Sequence, residues 1–189
     1  MKKQLFFIIS LFIVMTALTA CNDDEPEAPA TWSSSYVVTF ELSDDVMNTA
    51  DITAHIANPN GTFREEKVTN NKLSWTLTGK KLPDKAGVLL AFVPKKNIDE
   101  NKVYDIAING GITVTSFRNE GVVDYKSDSR NSNMRINGDE LAQYYVGSGA
   151  GFASGISENG KIVSVDVDSF DFGLNGLWEW VAGWFTESK

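Results

Sequence analysis

The sequence predicts an all-β domain, an antiparallel sandwich with one short helix, and three observations carry that expectation. From Ser35 onward apolar residues alternate with polar ones at a period of two, the pattern of half-buried strands. Turn-forming clusters separate these runs at short, regular intervals, as in sandwiches or barrels and unlike βαβ sheets. No long amphipathic stretch of helical period occurs before residue 137, and no internal repeat is present.

Taken in chain order, Val38, Phe40 and Leu42 alternate with Thr39 and Glu41. Ile52, Ala54 and Ile56 alternate with Asp51, Thr53 and His55, and Leu73, Trp75 and Leu77 with Ser74 and Thr76. Val88 to Val93 (VLLAFV) is a continuous apolar run, too short for a core helix and suited to a buried strand. Turns are expected at Ser43-Asp44-Asp45, Asn58-Pro59-Asn60-Gly61, Asn70-Asn71-Lys72 and Pro83-Asp84-Lys85, whose side chains favour tight reversals.

The stretch from Val103 to Phe117 admits two readings. Tyr104, Ile106, Ile108, Ile112 and Val114 share one parity, so one regular strand would place them on one face, with Gly110-Gly111 a weak point at its middle. A hairpin closed by Asn109-Gly110-Gly111 pairs Ile108 with Ile112 and Ile106 with Val114 equally well. At roughly 3.4 Å per residue the single strand would be unusually long, and on spacing alone the hairpin is favoured.

Beyond it, Ser127–Asn133 reads as a polar loop. Asp139-Glu140-Leu141-Ala142-Gln143-Tyr144-Tyr145-Val146 reads as a helix with an acidic first turn, and Gly147 to Phe152 as a flexible link. Lys161 to Phe172 returns to period two as a last strand. In the final segment, 174–189, Leu174, Leu177, Trp178, Val181, Trp184 and Phe185 fall at helical spacings, with Asn175 a candidate N-cap. The expectation is that this segment covers the open end of the sandwich. The alternative is an aromatic surface of Trp178, Trp180 and Trp184 for a glycan, lipid headgroups or a protein partner, Trp180 being the ring off the apolar stripe.

The first twenty residues have a different character. Lys2 and Lys3 precede a largely apolar, uncharged stretch, Leu5 to Leu18, too short to span a membrane comfortably and shaped like a secretory signal. It ends Leu18-Thr19-Ala20-Cys21. LTAC resembles the lipobox of bacterial lipoproteins, which implies that Cys21 is acylated and becomes the mature N-terminus. More than one acyl chain anchors a protein stably without a transmembrane helix.

Residues 21–34 form an acidic, proline-containing tether; its start, Asn22-Asp23-Asp24-Glu25, is similar to the acidic export signal of Bacteroides-type surface lipoproteins. Loss of residues 1–20 leaves 15 basic against 25 acidic residues, so the net charge falls from −8 to −10. That charge favours solubility and argues against a nucleic-acid partner.

The pattern as a whole adds a second resemblance. A lipobox precedes a Tyr36-Val37-Val38-Thr39-Phe40 strand, a tryptophan-bearing strand and a long strand running into Arg118-Asn119-Glu120-Gly121-Val122-Val123-Asp124. A helix beginning Gly138-Asp139-Glu140-Leu141 follows. Over Ser35 to Val146 this is similar to small Bacteroides-type surface lipoproteins with an immunoglobulin-like sandwich. The resemblance implies that fold for residues 35–173, outer-membrane anchoring with cell-surface display, and a long strand that is continuous. It implies no particular activity.

The chemistry available is narrow. One cysteine and one histidine exclude an intrachain disulfide, a thiolate cluster and a His pair for zinc, and an acylated Cys21 is no nucleophile. His55 falls on the polar side of its strand, where solvent exposure is expected. No nucleophile elbow or phosphate loop occurs. Asp99-Glu100-Asn101 and Asp166 to Asp171 lack the ligand spacing of a calcium loop. No cofactor and no metal are therefore expected. The chain reads as a non-catalytic, lipid-anchored binding or accessory module for a glycan or protein. The alternative is a structural subunit of a surface polymer such as a fimbria, joined by strand addition.

Overall fold

A computed structural model of the protein describes residues 29–146 and 148–165. The strands are β1 (Trp32–Leu42), β2 (Ala50–Ala57), β3 (Phe63–Lys67), β4 (Lys72–Gly79), β5 (Asp84–Pro94), β6 (Val103–Arg118), β7 (Gly121–Asn137), β8 (Gly149–Ile156) and β9 (Ile162–Val165). Two short helices, α1 (Asp44–Thr49) and α2 (Gly138–Tyr145), complete the described elements.

Two antiparallel sheets pack together, as expected of an all-β sandwich. Their orders are β4-β1-β6-β7 and β3-β2-β5-β8-β9. The architecture is the two-sheet sandwich, while the order is this chain's own. β1 lies between β4 and β6, whereas an antibody-type domain pairs its first two strands. β1 begins at Trp32, inside the stretch assigned to the tether.

Alternation builds the core. Tyr36, Val38, Phe40 and Leu42 of β1 face Ile52, Ala54 and Ile56 of β2 and Val88, Leu90 and Phe92 of β5 across one buried cluster. Ile106, Ile108, Ile112 and Val114 extend it along β6. Each buried Val, Leu, Ile or Phe among them contributes about 1.5–3 kcal/mol.

The helices close one end of the sandwich. Ser43, expected in a turn, is instead the N-cap of α1: its hydroxyl accepts from Val46 N at 3.4 Å and donates to the Asp105 carbonyl of β6 at 2.8 Å. In α2, Leu141 and Tyr145 are fully buried. Tyr145 stacks on Phe92 at 5.8 Å, and its hydroxyl lies 2.9 Å from Thr49 Oγ1. Burial pushes the Tyr145 phenol up to about 12.

The other end carries a buried polar group. Asp84, at the start of β5, accepts hydrogen bonds from the Ser34 hydroxyl and, at 2.6 Å, from Tyr36 OH, both on β1. These contacts tie the two sheets together. Burial raises the Asp84 carboxyl above its ordinary value, although both hydrogen bonds pull it back. Burial, and after it the same carboxylate, drives the Tyr36 phenol upward.

Three expectations are corrected. The hairpin at Asn109-Gly110-Gly111 does not form: β6 runs unbroken through sixteen residues. It pairs with β1 on one side (Leu42↔Ile108, Phe40↔Gly110, Val38↔Ile112) and with β7 on the other. The glycines make room instead of a turn. A Cβ on Gly110 would lie 2.8 Å from Phe40 Cδ1 and 2.7 Å from Phe152 Cε2. The chain reverses at Asn119-Glu120, with φ of 49° and 66°, the positive values a two-residue hairpin turn demands.

Second, Ser127–Asn133 is no loop but the middle of β7, held by its ladder to β6. Third, Gly149–Phe152 belongs to β8 and pairs with Val88–Ala91 of β5. The last strand is described as far as Val165.

Candidate functional site

Register places the outward-facing side chains of the β4-β1-β6-β7 sheet in rows. Thr76, Val37, Thr113 and Ser127 form one row, and Ser74, Thr39, Gly111 and Ser129 the next. Lys72, Glu41, Asn109 and Asn131 form a third. Threonine suits a strand because its branched Cβ fits the pleat, and its hydroxyl then faces water. Gly111 interrupts this layer at its centre.

The interruption opens a groove of about 480 Å³, within the size range of small-ligand sites. Thr39, Asn109, Thr113, Ser127, Ser129 and Asn131 are among its walls. Thr113 Oγ1 and Ser127 Oγ lie 3.2 Å apart. At one end Lys72 Nζ pairs with Glu41 Oε1 at 3.2 Å, an exposed pair of little energetic weight. Asp128 also borders the groove, and its Oδ1 accepts from Ser129 N at 2.8 Å. Next along β7 on the same face stands Tyr125, a residue 61% exposed. Val37, Phe40, Leu73 and Ile112 complete the walls, so the groove sets hydroxyls and amides beside a larger apolar surface, with one ion pair at its end.

Two polar contacts join the sheets along their flanks. Trp75 Nε1 of β4 donates to Glu66 Oε2 of β3 at 2.9 Å, and Arg64 holds the other carboxylate oxygen at 2.9 Å. These two hydrogen bonds, that of Trp75 first, hold the Glu66 carboxyl below the usual range. On the opposite flank Ile162 N of β9 donates to Asp124 Oδ2 of β7 at 3.1 Å and lowers that carboxyl.

His55 departs from expectation. Its side chain is only 15% exposed, and Nδ1 lies 3.1 Å from Glu65 Oε1 on β3. Leu89, opposite it in register, is buried, and this packing withdraws the imidazole from solvent. Cys21, Trp178, Trp180 and Trp184 lie outside the described residues. Among the described residues no group of three or more His, Cys, Asp or Glu is placed to hold a metal ion, and no helix is long and apolar enough to cross a membrane.

Sequence reasoning missed the groove. The available signal was the outward parity of two strands, Val37, Thr39, Glu41 and Asn109, Gly111, Thr113, in which a single glycine breaks a polar row. No protein-family model matches the chain, and no curated protein matches it at a significant level.

Proposed function

We propose that this chain is a lipid-anchored, non-catalytic binding or accessory module, held at the outer membrane through acyl chains on Cys21 and displayed on the cell surface. The observation that carries the binding role is the groove over Gly111, which presents hydroxyls and amides beside an apolar wall on the outer face of a sheet. Recognition by uncharged hydroxyl and amide groups fits capture better than turnover, since bond cleavage calls for a placed acid, base or nucleophile. The anchoring rests on LTAC, the chain's single cysteine and the acidic run that follows it.

Labelled palmitate tests the anchor: it is expected to attach to the wild type and not to Cys21→Ala, and equal labelling of both rejects the lipoprotein. Protease added to intact cells is expected to digest the domain, and complete protection rejects surface display.

A further inference from the structure

We infer that the groove over Gly111 is a site for a neutral oligosaccharide. This rests on the binding-module reading and names the ligand class for the same site. The argument starts from the functional groups. Hydroxyls of Thr39, Thr113, Ser127 and Ser129 each donate and accept, and the amides of Asn109 and Asn131 present both senses. A ligand that satisfies such a surface carries many groups that also donate and accept, at short intervals, along a semi-rigid frame. Carbohydrate hydroxyls have that character.

Other ligand classes fit less well. An anion meets the Glu41 carboxylate and a lysine already engaged by it, on a chain of net charge −8. A peptide backbone recognised by strand addition pairs with a sheet edge, whereas this groove lies over the face. A purely apolar compound displaces water from the wall hydroxyls and amides and offers no hydrogen bonds in its place, which costs binding energy.

The ring of Tyr125 strengthens the assignment. It shares the outer face of β7 with Ser127 and Ser129, about 14 Å from Ser129 at roughly 3.4 Å per residue. That span exceeds one sugar ring, so a short chain can hydrogen-bond in the groove while one unit lies against the tyrosine. Tyrosine serves this purpose because its apolar body can cover a ring while its hydroxyl stays wet.

The test uses the full-length protein in detergent on an array of neutral oligosaccharides (dextran, mannan and galactan fragments) and acidic ones (sialylated glycans and polygalacturonate fragments). Ser129→Trp fills the groove from an exposed position, Asn131→Ala removes one wall amide, Tyr125→Ala removes the ring, and Asp51→Asn on the other sheet is the control. Neutral glycans are expected to bind. Their affinity falls more than tenfold in Ser129→Trp, three- to tenfold in Asn131→Ala and Tyr125→Ala, and not at all in Asp51→Asn.

Binding of acidic glycans alone, or of none, overturns the inference. So does neutral-glycan binding that survives both Ser129→Trp and Asn131→Ala, or that is lost in Trp180→Ala alone. Thermal unfolding of each variant separates a blocked groove from a misfolded domain, and Asn131→Ala decides if Ser129→Trp unfolds. Palmitate labelling and protease digestion are independent of the array, so a failed array with an intact anchor removes the ligand and leaves the surface module.

Discussion

Gly110 and Gly111 are adjacent on β6, and they face opposite ways. Gly110 points into the core, where the rings of Phe40 and Phe152, 5.6 Å apart, fill the space a side chain would take. Gly111 points to solvent, where a Cβ would meet the Asp128 carbonyl at 3.0 Å and its absence leaves a groove. The same residue type therefore serves packing on one side and access on the other. A pair of glycines within an apolar alternation marks a place where the sheet is thinned from both faces, without reversing.

The contrast is open to direct attack, and the largest effect is expected inside. Phe40→Ala removes the ring that occupies the Gly110 recess, and a loss of about 3–5 kcal/mol is expected in urea unfolding. A smaller loss would mean that the recess collapses readily. Gly110→Val comes next, costing about 1–3 kcal/mol through overpacking. Phe40→Leu with Gly110→Ala is expected to cost less than the two changes measured singly, because the methyl enters vacated space; strict additivity would deny that the ring and the glycine share one volume.

The buried end of the inner side gives a pH signature. Burial raises the Asp84 carboxyl, so the native state binds its proton more tightly than the unfolded chain does. That contribution is complete below the ordinary aspartate range and is lost as pH rises through the raised value. Asp84→Asn lacks it. Relative to the variant, the wild type is expected to gain stability as pH is lowered toward 4 in paired unfolding curves, and parallel curves would reject the shift. The smallest effect belongs outside: Gly111→Ala is expected to change stability by less than about 1 kcal/mol, since a shift of a few tenths of an ångström relieves its contact.

Legibility in the sequence followed burial. β1, β2 and β4 announce themselves because one face of each is apolar, β5 because its apolar run is unbroken, and α2 because Leu141 and Tyr145 lie one turn apart. β3 is exposed at every residue and shows no apolar alternation, and the centre of β7 has the composition of a loop. Such strands are held by ladder hydrogen bonds to a neighbour, and backbone bonds leave no mark on side-chain patterning. The capped helix α1, six residues long, is too short to show a period. The groove was hidden for a related reason: it exists only once register sets Thr39, Gly111 and Ser129 side by side, and register is a property of the pairing.

The position of β1 has a mechanical consequence. Thr31 leads directly into Trp32, the first residue of a strand hydrogen-bonded along its length to β6 on one side and over most of it to β4 on the other. Tension entering from the N-terminal side is directed along β1, so its rungs are loaded together in shear and are not peeled one by one. A ligand held on the outer face of this same sheet would pull against that ladder without drawing the two sheets apart.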